Sequence, residues 1–166
     1  MKIGKWLREA SLAASMLLIS GGLALAATVS GNLPVSASVS NNCAFGTINA
    51  LNFGAYDPVV ANASTDLTGT GTFALTCTSG GSITIGLSLG GHAVSTQRNM
   101  ADAGTDKLSY NLYQDSTDTT VWDETTTKSD TGTGSAVTYT VYGVVPHGQN
   151  VPAGSYSDTV SIDVTY

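Results

Sequence analysis

Basic residues are scarce in this 166-residue chain: six Lys and Arg stand against twelve Asp and Glu, a net charge of −6. A surface so poor in cations repels phosphate backbones, which excludes nucleic acid as a partner. The two cysteines, Cys43 and Cys77, have neither CxxC spacing nor neighbouring histidines, so a metal or redox pair is the weaker reading of them. GxSxG, HExxH and phosphate-loop patterns are missing. His92 and His147 stand apart from any Cys or acid cluster and are expected as exposed loop residues. No convergent catalytic constellation remains, and the chain is read as a non-enzyme without cofactor or metal. The acidic stretch with Asp115, Asp118, Asp123, Glu124 and Asp130 lacks the DxDxDG order of a calcium loop and reads as a solvated face. Neither GTGT (69–72) nor GTGS (132–135) joins a strand to a long helix, so both are expected as turns. The sequon Asn62-Ala63-Ser64 reports a surface loop.

Long apolar runs are also rare, and the single one lies at the start. Lys2, Lys5 and Arg8 precede a mostly apolar stretch from Leu12 to Leu25, and Ala24-Leu25-Ala26 gives a small-x-small cleavage pattern. Ser15, Ser20, Gly21 and Gly22 interrupt the run, whereas a spanning helix wants about 20 predominantly apolar residues. Residues 1–26 are therefore expected to be a signal peptide. Cleavage leaves Arg98, Lys107 and Lys128 against eleven carboxylates, a net charge of −8. An exported chain meets an oxidising compartment, which makes a Cys43–Cys77 disulfide the default.

What is abundant is Thr, Ser and Gly around short alternating apolar stretches. Phe45, Ile48, Leu51 and Phe53 mark one; Phe73-Leu75-Cys77, Ile83-Ile85-Leu87-Leu89, Leu108-Tyr110-Leu112 and Val137-Tyr139-Val141 mark others. Val160, Ile162, Val164 and Tyr166 close the chain with the same period, facing inward while Thr159, Ser161, Asp163 and Thr165 face out. Turn-forming residues punctuate at 54–66, 90–106, 114–135 and 146–154. Trp122 is expected to pack within the fold. About seven strands with such punctuation predict an all-β antiparallel sandwich.

The first of those strands is TVSGNLPVSASVS (28–40), in which Val29, Gly31, Leu33, Val35, Ala37 and Val39 share one face. It stands almost at the start of the processed chain, where most domains fray. Pro34 cannot donate to a ladder and is a candidate join between two segments, which leaves Val35 to Val39 open to either side of it.

VSGNLPVSASVSNNC (29–43), INALNFGAYDP (48–58), FALTCTSG (73–80), LSYNLYQDS (108–116), TVYGVVPHGQ (140–149) and GSYSDTVSIDVTY (154–166) together resemble the spore coat protein U domain family, which includes the pilins of archaic chaperone-usher pili. The resemblance implies an incomplete immunoglobulin-like sandwich that lacks its last strand (residues 41–166), with 27–40 as a donor strand. It further implies a periplasmic chaperone that fills the groove first and an outer-membrane usher where the next subunit's N-terminal strand replaces it. Neighbouring copies or related pilins are then partners, and the product is a secreted surface fibre serving adhesion or biofilm formation. On this reading Val29, Gly31, Leu33, Val35, Ala37 and Val39 are the inserted knobs, and Val160, Ile162, Val164 and Tyr166 form the groove and chaperone-docking strand. His147, in PHGQ, departs from the small residue usual there. Two alternatives are a self-complemented secreted binding module, in which 28–40 fill their own groove, and a spore or cell coat component.

Overall fold

The computed structural model describes residues 26–166, so the expected signal peptide lies, but for Ala26, outside the described residues. The chain divides into two compact units, Met1–Ala37 and Ser38–Tyr166. In the first, the described residues 26–37 are all exposed and carry neither helix nor strand. Backbone that alternates apolar and polar side chains without a partner strand has nothing to complete its ladder.

The second unit is all β, with strands β1 (Cys43–Asn49), β2 (Leu67–Cys77), β3 (Ser82–Leu87), β4 (Arg98–Ala101), β5 (Lys107–Tyr113), β6 (Lys128–Thr131), β7 (Ala136–Val145) and β8 (Ile162–Thr165). They form two antiparallel sheets, one ordered β1-β2-β7-β5-β4 and one ordered β6-β3-β8, in an immunoglobulin-like sandwich. Period-two patterning explains the layers. Phe73, Leu75 and Cys77 of β2, Leu108, Tyr110 and Leu112 of β5, and Tyr139 and Val141 of β7 are buried against Ile83, Ile85 and Leu87 of β3.

Two strands escape the sequence reading. RNMA (β4) and KSDT (β6) have little apolar alternation and lie inside stretches expected as punctuation. Both occupy sheet edges, where one neighbour suffices. GTGT (69–72), expected as a turn, is instead part of β2, while GTGS (132–135) does lie outside the strands. Asn62 is a further correction: the loop is at the surface, but its side chain is buried, accepting from the Asp57 amide at 3.0 Å and donating to the Thr65 carbonyl at 2.9 Å.

Trp122 and Arg98 seal the sandwich. The indole is fully buried beside Phe73, at a centroid distance of 5.9 Å, and donates its Nε1–H to the Ile85 carbonyl at 2.9 Å. The Arg98 guanidinium, 1% exposed, donates to the carbonyls of Leu87 (2.9 Å), Ser88 (2.7 Å) and Trp122 (2.8 Å). A planar fork with five donors suits three carbonyls left over where β3 ends.

Cys43 and Cys77 are bonded, and they are register partners in the β1–β2 ladder. Replacing both by Ser is expected to lower the unfolding free energy by roughly 3–4 kcal/mol on the loop-entropy estimate, measured by urea titration against the oxidised parent.

Candidate functional site: an open groove between the sheets

The register of β1 shows that the sandwich is not closed. Phe45 stands opposite Leu75, and Ile48 opposite Phe73. Directly opposed residues share a face, so Phe45 and Ile48 point to the same inner side as their buried partners. Yet Phe45 is 47% and Ile48 58% exposed. Among the described residues, no strand covers the inner face at this edge.

The facing edge is equally open. Among the described residues, β8 is the last strand of its sheet, bonded to β3 alone, and its other side offers N–H and C=O groups without a ladder partner. Between these edges lies a cavity of about 1010 Å³. Ile48, Leu51 and Phe53 line it from the β1 side, and Val151, Tyr156 and Val160 of the chain leading into β8, with Ile162 of β8 itself, from the other. Its floor includes Phe73, Leu108, Tyr110, Leu112 and Val141 of the core.

Each wall has a local cause. After β1 the chain turns in over the sheet, where β2 and β7 present only glycine. A Cβ on Gly143 would stand 2.7 Å from Phe53 Cζ, and one on Gly71 would stand 3.0 Å from Leu51 Cβ. Gly69, Gly71 and Gly143 thus form a bed on which Leu51 and Phe53 rest, and Phe53 meets Tyr110 edge-on at 6.1 Å. This is the physical reason GTGT belongs to a strand: its glycines admit a second chain where a side chain would block it. On the other wall, Ser157 and Ala101 exchange backbone hydrogen bonds of 2.9 and 3.0 Å, tying the lead-in chain to β4 before it crosses to β8.

Asp158 fixes that crossing. Its carboxylate, 3% exposed, accepts from the Tyr110 hydroxyl at 2.7 Å and the Gly91 amide at 2.9 Å, with His92 Nδ1 at 3.1 Å. Burial, followed by the bond to Asp158, holds the Tyr110 phenol well above its usual range. On the neighbouring strand β7, burial and the Asp130 carboxylate push Tyr139 up to about 12.

Of the residues expected to form the docking strand, Val160 and Ile162 line the cavity, and Val164 pairs with Ile85 and packs on the core. Tyr166 departs from the inward set. It lies past the end of β8, 54% exposed, with its hydroxyl 3.4 Å from Asn42 Oδ1. In the segment 28–40, Val29 (97%), Leu33, Val35 and Val39 are among the most exposed apolar side chains, and Gly31 and Ala37 are exposed too. The first strand of the unit begins only at Cys43, so Val35 to Val39 are not part of it. Both histidines are exposed as expected, although each stands against a carboxylate, His92 with Asp158 and His147 with Asp66. The sequence reading missed Asp158, Tyr110 as a groove residue, and the glycine bed; glycine at alternate, inward positions of β2 was the one available signal.

The Spore Coat Protein U domain matches residues 29–163, spanning both the N-terminal segment and the groove walls. This chain belongs to the Spore Coat Protein U domain family. Within reach of that family, it is 42% identical over 171 aligned residues to Protein U of Myxococcus xanthus, covering 95% of this chain and 96% of that protein. In fold, the domain is similar to a chain from the crystal structure of the CsuC–CsuE chaperone–tip adhesion subunit pre-assembly complex of archaic chaperone-usher Csu pili of Acinetobacter baumannii, with a TM-score of 0.56 and 21% identity. The match covers 78% of this chain and 40% of that one, so the chain spans less than half the length of that structural relative.

A neutral phenol stabilises the fold only while it stays protonated. Because Tyr110 and Tyr139 have folded pKa values raised above the ordinary 10.0, their contribution is fully present below pH 10.0 and is lost as pH rises toward the folded values. The unfolding free energy should therefore fall at pH values above 10.0. Tyr110→Phe should flatten part of that fall, measured by denaturant titrations at stepped alkaline pH.

Proposed function

We propose that this protein is the subunit of an extracellular polymer in which residues 28–40 of one copy fill the groove of the next. The observation that carries this reading is the half-exposed inner face at Phe45 and Ile48 together with the free edge of β8, on a chain that also has an exposed segment of alternating apolar residues at 28–40 with no partner strand among the described residues. A strand laid against β8 satisfies its open backbone groups, and its apolar face covers the cavity floor. Val29, Leu33, Val35 and Val39 are the larger knobs, and Gly31 and Ala37 the small ones on the same face. Burying the four larger ones at ~1.5–3 kcal/mol each contributes on the order of 6–12 kcal/mol gross, before ladder hydrogen bonds.

An open groove also requires a guardian before assembly. A periplasmic chaperone that supplies a temporary strand along β8, with Val160, Ile162 and Val164 as its docking side, and an outer-membrane usher at which exchange takes place meet that need. The polymer is read as a surface fibre of adhesive or biofilm type, with this one-domain chain as a shaft subunit and no catalysis. The description of the family as a spore coat domain supports a second reading, in which the same strand exchange builds a coat layer. Immunogold labelling distinguishes them: fibres projecting from the surface against a continuous shell.

Leu33→Asp tests the donor role. It should leave the chaperone complex intact and abolish heat-resistant polymer, because an unpaired buried carboxylate costs several kcal/mol. Asn32→Asp, on the opposite face, is the matched control and should polymerise like the parent. Equal impairment of the two variants, or normal polymer from Leu33→Asp, would overturn the donor role. Loss of monomer stability in Leu33→Asp alone would mark a self-complemented domain.

A further inference from the structure

We infer that Val59 and Val60 form a body-to-body contact between successive copies of this chain, separate from the exchanged strand. The inference rests on the donor-strand reading. The folded unit has two poles. At one, the Cys43–Cys77 disulfide, the 78–81 turn and the 132–135 turn meet, with the Gly80 amide donating to Gly132 and the Gly132 amide to Gly81, both at 2.8 Å. The segment 28–40 leaves the unit from this pole, through Asn42. At the other, beyond the Leu67–Val145 end of the ladder, the 56–66 loop is tied to residues 146–149.

β8 runs from the second pole toward the first: Ile162 lies opposite Leu87, Thr165 opposite Thr84, and Tyr166 reaches Asn42. Every strand pair in this fold is antiparallel. A donor inserted antiparallel to β8 has its C-terminal end, near Val39, at the second pole. The copy to which it belongs must then sit there, its own arm-root pole facing the 56–66 loop. Insertion in the opposite sense would place two arm roots at one pole, where the acceptor's own arm has to leave, and the chain could not propagate.

The loop that receives this neighbour is built to present two apolar side chains. Val59 and Val60 are 80% and 76% exposed, and Val59 also lines the mouth of the groove. Their backbone is already ordered: the Asp57 carboxylate accepts from the amides of Val59 at 2.9 Å and Val60 at 3.0 Å. The buried Asn62 side chain braces the far side of the loop, and the Asn62 backbone carbonyl accepts from the Gly148 amide at 2.8 Å. An apolar pair held in place in advance loses little conformational freedom when covered. The surface it would meet, residues 38–42 with the 78–81 and 132–135 turns, carries no charge to oppose it. The occupant is thus the arm-root pole of a second copy, continuous with the strand already seated in the groove.

A photoreactive benzoylphenylalanine placed at position 60 of the assembled polymer tests this directly. Cross-links mapped by mass spectrometry should join it to peptides carrying residues 38–42, 78–81 or 132–135 of another copy, and the same probe at exposed Val94, in the turn before β4, should not. In parallel, Val59→Asp combined with Val60→Asp should keep the heat-resistant ladder on denaturing gels while the fibres become more flexible in negative stain. Absence of intercopy cross-links from position 60, or fibres of unchanged stiffness, would overturn the contact while leaving the donor strand standing. Loss of the ladder in the unsubstituted protein would sink the donor-strand reading itself.

Discussion

One vacancy in a hydrogen-bonded ladder organises this molecule. β8 has a neighbour on one side only, and the inner residues of β1 across from it are uncovered, so the core of the sandwich communicates with solvent along one seam. The rest of the structure is arranged to keep that seam open without collapse. Glycines under Leu51 and Phe53 hold one lip, and the Asp158 carboxylate, buried against Tyr110 and Gly91, holds the other.

A sandwich with an open seam needs rigidity from elsewhere, and its polar interior supplies it. Arg98 gathers three carbonyls from the end of β3 and from the Trp122 segment into one fork. Trp122 in turn donates to the middle of β3. These bonds run between strands adjoining the cavity floor and do not involve the open edges. Removing Arg98 would leave several buried carbonyls without donors, a larger loss than the packing volume alone. The aspartates at 115 and 123, which the sequence presents as a solvated acidic face, each fold their own turn by accepting from amides and hydroxyls of the threonines that follow.

Most of the layered fold was legible because strand burial has a period of two and these core strands keep it. Leu108-Tyr110-Leu112 and Ile83-Ile85-Leu87 needed no tertiary knowledge to be placed. β4 and β6 were not legible, since edge strands of four residues are held by neighbours and not by their own patterning. The glycine bed was misread for a different reason: glycine marks a turn and a close chain approach alike, and only the partner, Leu51 or Phe53, tells them apart. The donor face could be read from alternation, while the groove could not, because it is bounded by residues more than a hundred positions apart in sequence, such as Ile48 and Ile162. Tyr166 kept the alternation but fell beyond the last ladder bond, where nothing turns a side chain inward.

The disulfide acquires a mechanical meaning once its place is considered. In a polymer joined through residues 28–40, tension enters each subunit at Asn42, one residue before Cys43. Without the cross-link that pull would act on β1 alone, an edge strand held in its sheet by β2 on one side. With Cys43 covalently joined to its register partner Cys77, the pull passes at once to β2, which lies between β1 and β7 and must be sheared along its whole length to move. A bond whose thermodynamic worth is a few kcal/mol thereby moves the load from an edge strand to one held on both sides.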